Sequence, residues 1–432
     1  MQRLISLAGI FILISLAWVF SENRARISWK TVVSALALEI LIGSFVFLMP
    51  QSTAIFLWVN RVVIKLLSFA NSGALFLFGP LALSPGEKSP AGEASFGFFM
   101  AFQIFPALIF FSALMSLLYH CGFIQPVINI FAKIFKRVMN LSGAEALSAS
   151  SNIFVGIEAV FPIRPFLEGL TRSELFTILT PCMATVASTT LAIYVSFLKQ
   201  ALPTVAGHLV SASIIAIPAS VLISKIMIPE TGEPATLGHI PKESKAGPSS
   251  NFMSAVTEGA WEGIKLAVGI ASLLIAILGL VALLNYLLHG IGVFLPGKPD
   301  LSFEKILGWL MIPFAWFMGI GAHDLFPAAQ LLGERWILTE VVAYKDLANF
   351  VAAGTITDPR TIVVMSYALC GFVHVASVAI FVGGLSALIP NRQKEIAGLG
   401  MKALCAAFLA TVMTGCIAGL FFSASQTHVF SL

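Results

Sequence analysis

The residues in this sequence that are best suited to bind a ligand or to do chemistry are carboxylates inside long apolar stretches. Glu158 follows Asn152 and Gly156 in one stretch, and Glu340 stands in another. Ionisable side chains in membrane-type segments are costly and are functional candidates by default. A carboxylate can accept both hydrogen bonds of a vicinal diol such as a sugar's, and an Asn carbonyl oxygen suits a hydroxyl or a hard cation. We therefore expect both stretches to contribute to binding.

Two apolar spans also carry polar side chains near their centres. Residues 184–190 include four hydroxyls, and residues 371–377 include His374 and Ser377. Hydroxyls can satisfy carbonyls that a helix break frees and can ligate sodium, but small polar residues also simply pack helices together. Both interpretations of the hydroxyl run stay open, whereas a mid-span histidine favours function.

Enzymatic sites find little support in the sequence. The pairs His323-Asp324 and Lys345-Asp346 lack a neighbouring nucleophile, and His323 has no second histidine at helical spacing. The five cysteines are scattered without metal-type spacing and are expected to be small core residues. We therefore predict that the protein is not an enzyme.

The composition requires the stretches to lie in a membrane. Hydrophobic residues make up 58% of the 432 residues and charged residues only 11%, with a mean hydropathy of +0.94. Soluble domains carry about a quarter charged residues, and only lipid can solvate so apolar a chain, provided that helices satisfy its backbone. The net charge of +4 comes without a long basic run, so nucleic acid binding has no support.

The fold class predicted is an all-α polytopic membrane protein with about eight transmembrane helices. Runs long enough to span the bilayer occur near 2–20, 31–49, 98–119, 173–198, 205–228, 263–288, 361–389 and 396–422.

Four further segments are apolar but interrupted. The stretches 51–78 and 124–139 carry basic residues at helical spacing and are predicted to be helices lying in the interface. The stretches 142–170 and 305–348 carry polar residues and prolines and are each long enough for two half-spans. They are predicted to be re-entrant hairpins, which are tolerated only where they line a cavity or pack on protein.

The order of elements repeats along the chain. A span, a polar hairpin, a polar span and a plain span follow one another twice, which indicates inverted repeats of the kind found in secondary transporters. The predicted divisions are N-terminal spans and an interfacial helix (1–97), a first repeat (98–228), a flexible cytoplasmic linker (229–251) and a second repeat (252–432).

The loop charges predict an orientation. Basic clusters follow the first, third, fifth and seventh spans, which all lie on one side of an eight-span chain. The positive-inside rule makes that side cytoplasmic. Both termini are then expected in the periplasm, with the chain in a bacterial inner membrane.

Several strings together resemble the concentrative nucleoside transporter family, from about residue 30 to the end. They are Leu141–Ser148, Asn152–Gly156, Ile163–Leu167, Leu170–Glu174, Glu340–Tyr344 and Tyr367–Phe372. The resemblance implies eight spans, three interfacial helices, two opposed hairpins and a homotrimer. It also implies that each subunit carries its own nucleoside, coupled to sodium or protons, by an elevator-like movement of a transport domain.

The family's binding roles transfer to particular positions. The resemblance implies a sodium site at Asn152, Val155, Thr185 and Val186. It implies substrate contacts at Gly156, Ile157, Glu158, Thr190, Glu340, Phe372, His374 and Ser377.

The departures from the family fall in the pocket. The hairpin tip Gly156-Ile157-Glu158 is one residue shorter than the family's and lacks its Gln, His374 replaces an Asn, and Thr190 stands where Val is frequent. Loss of hydrogen-bonding groups changes selectivity strongly, so we expect an altered base preference, and His374 could add pH dependence. Another small polar solute, or a nucleoside sensor that transports nothing, remain the alternatives.

Overall fold

The computed structural model describes residues 1–83, 88, 92–199, 201–238, 240, 251–294 and 302–422, with the backbone alone at 50–53, 55–56, 157–158 and 292–294. These residues form helices, turns and one isolated β-bridge between Lys88 and Ala94, and they contain no strand. The predicted all-α class is confirmed.

Seventeen α-helices follow one another in the described part of the chain. They are α1 (Gln2–Val19), α2 (Trp29–Leu48), α3 (Pro50–Phe78), α4 (Met100–Gln103), α5 (Phe105–His120), α6 (Gln125–Met139), α7 (Gly143–Ser151), α8 (Arg172–Ala184), α9 (Ser188–Leu198), α10 (Val205–Met227), α11 (Phe252–Phe294), α12 (Phe303–Phe317), α13 (Leu325–Ile337), α14 (Glu340–Ala352), α15 (Pro359–Ala368), α16 (Val375–Leu388) and α17 (Gln393–Phe421). Short 3-10 segments cover Arg24–Arg26, Gly79–Ala82, Ile157–Gly169 and Pro390–Arg392.

Eight helical segments among the described residues are long and apolar enough to cross a membrane. Their number agrees with the predicted eight, but their membership differs. The segment Leu57–Ala82 qualifies although it was predicted to be interfacial, because its few basic residues barely lower its hydropathy. The predicted span 361–389 is instead divided between α15 and α16.

The centre of the molecule is formed by α8, α10 and α17, which pack on one another and are almost entirely buried. At the periphery, α11 leaves large apolar side chains exposed, with Ile275 and Tyr286 each 77% accessible. An apolar exterior around a buried core is what a lipid solvent requires.

The peripheral helices α5 and α11 approach closely through small residues. A Cβ on Gly259 would lie 2.8 Å from the Ala113 Cα atom, and one on Gly263 would lie 2.7 Å from the Ile109 Cα atom. Two glycines four residues apart permit backbone contact between membrane helices, which gain little from hydrophobic burial against each other.

The two stretches predicted as hairpins differ in secondary structure. The stretch 142–170 contains α7, a short turn and the 3-10 segment Ile157–Gly169. The stretch 305–348 holds parts of three helices rather than two half-spans, because α12 precedes the antiparallel pair α13 and α14 and packs on α13. The two-helix element therefore covers 325–352, and its re-entrant placement stays a prediction.

The helices α7 and α8 begin side by side with matched caps. Ser142 and Thr171 each form a capping box with the Glu three residues later, and the Ser142 hydroxyl donates to Glu174 across the pair at 2.6 Å. Lys225 at the end of α10 binds the buried Glu145 carboxylate at 2.5 Å. These contacts fix the base of the first hairpin to α8 and α10.

The first part of the predicted flexible linker 229–251 is packed on the protein. Thr236 is buried, and its hydroxyl and carbonyl oxygens accept hydrogen bonds from the Ala144 and Gly143 amides, each at 3.0 Å. The linker thus supplies acceptors to two amides that the N-terminus of α7 leaves free. Residues 241–250 lie outside the described part.

Glu22, between α1 and α2, joins three elements at the surface. Its carboxylate lies 3.0 Å from Arg172 in α8 and 2.6 Å from Lys402 in α17. The hydrogen bond from Arg172 lowers the pKa of Glu22 below its usual 4.5, with Lys402 contributing.

Candidate functional site

Two interrupted helices cross near the middle of the buried core. The first break separates α8 from α9 at 185–187, and the second separates α15 from α16 at 369–374. Gly371 lies in the second break, where a Cβ atom would come within 2.9 Å of the Ala184 carbonyl oxygen. Only a glycine therefore allows the two breaks to pack together.

The first break arises from local chemistry. Pro181 lies inside α8 and has no amide hydrogen to continue the ladder. The Thr185 hydroxyl donates to the Pro181 carbonyl at 2.9 Å, and Thr185 itself is extended. Because each helix end leaves backbone groups without intrahelical partners, such a break is suited to binding small polar ligands.

The tip of the first hairpin contacts this break. The Phe154 carbonyl accepts a hydrogen bond from the Ser188 amide, the first residue of α9, at 3.1 Å. Residues 152–156 therefore lie beside 185–188, and the predicted sodium ligands Asn152, Val155, Thr185 and Val186 stand on two segments in direct contact.

Asn152 carries an unused acceptor in this region. Its side chain is fully buried, and its amide nitrogen donates to the Ser148 carbonyl at 3.1 Å. Its Oδ1 atom has no hydrogen-bond partner. Buried acceptors without a donor are rare, and a neutral carbonyl oxygen is a ligand that sodium accepts at unwound backbone. The donor set fits a hard monovalent cation.

Glu340 forms the centre of the second group of predicted residues. It is the first residue of α14, after a turn at Leu338 and Thr339, and it is only 3% exposed. A helix N-terminus stabilises a carboxylate. Two side chains from other helices face its oxygens: the Tyr194 hydroxyl donates to Oε1 at 2.9 Å, and His374 Nε2 lies 3.3 Å from Oε2.

The hydrogen bonds of His374 define its neutral form. The residue caps α16, and its Nδ1 atom accepts a hydrogen bond from the Ser377 amide at 3.1 Å. A neutral ring that accepts at Nδ1 carries its hydrogen on Nε2, which here faces the Glu340 carboxylate. An asparagine would offer the same pair of one acceptor and one donor, so the histidine retains the polarity expected at this position.

The remaining predicted substrate residues differ in how their polar groups are used. The Ser377 hydroxyl donates to its own turn, within 2.6 Å of the Phe372 carbonyl, and the Thr190 hydroxyl donates to the Ala187 carbonyl at 3.0 Å. Gly156 is buried at the hairpin tip. The side chains of Ile157 and Glu158 lie outside the described ones.

Sequence reasoning passed over Tyr194. It lies one helical turn after Thr190 on α9 and is fully buried. Residues four apart lie on the same face of a helix, so Tyr194 could have been predicted at the site from its spacing to Thr190.

Arg335, in α13, was also passed over. It is fully buried, donates to the Ala368 carbonyl at the end of α15 and to the Thr411 hydroxyl at 3.1 Å, and lies 5.6 Å from the Phe408 ring. A cation in an apolar segment five residues before Glu340 was a recognisable signal. It joins the second hairpin to the second break.

Comparisons with known proteins show which family the chain as a whole resembles. Family models described as the N-terminus and C-terminus of Na+ dependent nucleoside transporters match residues 8–81 and 208–419, and one described as nucleoside recognition matches 101–201. An uncharacterized transporter of Bacillus subtilis (strain 168) is 35% identical over 98% of this chain and 100% of its own length. The sodium/nucleoside cotransporter 1 of Rattus norvegicus is 32% identical over 98% of this chain and 64% of its own length.

Solved structures of similar proteins have the same fold. A structure described as CNTnw in an inward-facing substrate-bound state is 33% identical, covers 98% of both chains and has a TM-score of 0.87. A variant of CNTnw in an outward-facing state has a TM-score of 0.89 at 32% identity over 98% of both chains.

Proposed function

Because this chain belongs to the concentrative nucleoside transporter family, we propose that it is a sodium-coupled symporter that imports nucleosides across a bacterial inner membrane. The observation that carries the proposal is the buried Glu340 carboxylate, held between Tyr194 and His374 beside two helix breaks. A carboxylate fixed in this way offers its remaining acceptor positions to the hydroxyls of a ribose.

Sodium is the coupling ion that the donor set supports. The Asn152 Oδ1 atom is buried without a donor, and it lies on the hairpin tip that contacts the break at Thr185 and Val186. A proton would need a titratable acceptor, whereas an amide oxygen serves only a cation or a hydrogen-bond donor. The ion would therefore connect the hairpin tip to the broken helix.

The arrangement is compatible with an elevator-like movement. The first hairpin region packs on α8 and the second on α9, and α8, α15 and α16 pack in turn on α17, whereas α11 packs mainly on α5, which itself contacts α9. We assign the first group to a moving transport domain and the second to a trimeric scaffold. The inverted repeats 98–228 and 252–432, and periplasmic termini, belong to the same proposal.

Uptake of labelled uridine by reconstituted vesicles tests this function. Three conditions are compared: an inward sodium gradient, an inward proton gradient, and neither. We expect accumulation with sodium alone, and its loss in Asn152→Leu and Glu340→Gln. Binding without accumulation under every gradient would indicate a sensor, and competition only by other polar solutes would reject the nucleoside assignment.

A further inference from the structure

We propose that Tyr194 is a positioning residue that fixes the Glu340 carboxylate for a ligand with two adjacent hydroxyl groups. The inference rests on the proposed function, since it concerns how the same site selects its sugar. Tyr194 was not among the residues that the sequence assigned to the site.

The contact between the two residues is buried and directional. The Tyr194 hydroxyl donates to Glu340 Oε1 at 2.9 Å, and neither residue is more than 3% exposed. Hydrogen bonds to an ionised acceptor are about twice as strong as neutral ones. The bond also joins α9 of the first repeat to α14 of the second.

The direction of the Tyr194 hydroxyl is itself fixed. Its ring stacks on Tyr344 with the centroids 4.5 Å apart and the planes 26° from parallel. The Tyr344 hydroxyl donates to the Ser366 carbonyl at 2.7 Å, beside the second helix break. Stacking in this range favours a defined ring orientation, so Tyr194 cannot turn away from Glu340 without losing its stacking on Tyr344.

The opposite oxygen of Glu340 faces a histidine ring and accepts no hydrogen bond from the described residues. His374 Nε2 lies 3.3 Å from Oε2, and its ring is held by the Ser377 amide. The terminal torsion of a glutamate is broad when it is free. The Tyr194 hydrogen bond at Oε1 and the His374 ring packed beside Oε2 limit that freedom and set the plane of the carboxylate.

A fixed carboxylate plane selects for a paired donor. The two oxygens provide about four acceptor positions, of which Tyr194 occupies one on Oε1, and Oε2 accepts no hydrogen bond from the described residues. Each oxygen therefore keeps a free acceptor position, and two adjacent hydroxyls on one sugar ring can donate one hydrogen bond to each. A ligand with a single hydroxyl would use only half of this arrangement.

The test compares Tyr194→Phe with the matched control Tyr344→Phe. Each substitution removes one buried hydroxyl and keeps the stacked rings, but only the first removes a donor to Glu340. KM is measured for sodium-driven uptake of uridine and of dideoxyuridine, which lacks both ring hydroxyls. KM does not depend on the amount of folded transporter, so partial loss of protein leaves this readout intact.

We expect Tyr194→Phe to raise KM for uridine roughly ten-fold, in keeping with the loss of a hydrogen bond to a charged group, and to leave KM for dideoxyuridine nearly unchanged. The preference for uridine should remain in Tyr344→Phe. In a Glu340→Gln background, where uptake is lost, the preference is measured as the ratio of the equilibrium binding affinities for the two compounds, and adding Tyr194→Phe should leave that ratio unchanged.

Two results would overturn the inference. One is a Tyr194→Phe transporter with the wild-type preference, and the other is an equal rise of both KM values in both tyrosine variants, which would show a purely structural role. Failure of the proposed function looks different, because the unmodified protein would then not accumulate uridine at all.

Discussion

Replacing Gly371 by alanine should separate the two helix breaks. The new Cβ atom would lie 2.9 Å from the Ala184 carbonyl oxygen, 2.9 Å from the Thr411 Cγ2 atom and 3.0 Å from the Ala184 carbonyl carbon. Two of these atoms belong to backbone at the end of α8, so neither can turn aside. The segment must shift by a few tenths of an ångström.

The cost follows from the crowded packing. Inserting a methyl group into a filled interior destabilises a protein by about 1–3 kcal/mol, and each 1.4 kcal/mol corresponds to a factor of about ten in an equilibrium constant. The displaced carbonyl directly precedes Thr185 and Val186. We therefore expect the free energy of unfolding to fall by about 1–3 kcal/mol and the half-saturating sodium concentration to rise, because the displaced segment carries the proposed ion ligands.

Gly383 supplies a matched control. It lies in α16, and a Cβ atom there would have no neighbour within 4 Å. An alanine at this helical position should be neutral or stabilising by up to about 1 kcal/mol.

The assay measures thermal unfolding in detergent across a sodium titration, followed by sodium-driven uptake. We expect Gly371→Ala to unfold at a lower temperature and to require more sodium, whereas Gly383→Ala should behave like the unmodified protein. If Gly371→Ala retained both the unfolding temperature and the sodium dependence, the contact between the two breaks would not support the ion site.

Three further predictions concern other contacts. Gly259→Leu should separate α5 from α11 and lower the unfolding temperature, and an unchanged temperature would contradict the close packing that we describe. Lys225→Met should destabilise the protein by about 3–5 kcal/mol because it leaves the buried Glu145 carboxylate without its cation. Adding Glu145→Gln should recover much of that loss when the free energy of unfolding is measured with a chemical denaturant. If the effects of the two substitutions simply added, the ion pair between Lys225 and Glu145 would not be the cause. Since Arg172 lowers the pKa of Glu22, Glu22 contributes stability above pH 4.5 that is lost as the pH falls through its folded pKa. Glu22→Gln should therefore lower the free energy of unfolding by up to about 1 kcal/mol at pH 7 and by nothing near pH 3. The same loss at both pH values would refute this origin.

Much of the architecture was accessible because its signals are local. Long apolar runs identify helices such as α1, α10 and α17 directly, since a spanning helix satisfies its own backbone. The helix α6 was recognisable from alternating buried and basic positions, and it buries Ile128, Ala132 and Phe135 on one side. The class and the approximate count of spans follow from such patterns.

The interruptions were harder to locate. The predicted span 361–389 has no proline in its interior, and its break at 369–374 depends on Gly371 packing against a distant helix and on Arg335 binding the Ala368 carbonyl. Neither contact is visible in a local pattern. The long helix α11 extends beyond the predicted 263–288 because no cap or proline stops it earlier.

The candidate site was found in part. Glu340 and His374 were identified by their chemical type within apolar sequence, and the structure brings them together. Tyr194 was missed because a tyrosine in a membrane helix is common, and only the distance to a residue 146 positions away distinguishes it. Contacts of that separation require the tertiary fold.

The helix α9 has a thermodynamic consequence. Its first residue, Ser188, is bound by the hairpin tip, and Tyr194 on the same helix is bound to Glu340; along a rigid helix the two points are about 9 Å apart. Whatever orders one end must therefore change the freedom of the other. In the proposed transporter, linkage makes such an effect mutual: a factor by which sodium strengthened sugar binding would equal the factor by which sugar strengthened sodium binding. With positive coupling, this single short helix would favour the empty carrier and the doubly loaded carrier over both half-loaded ones.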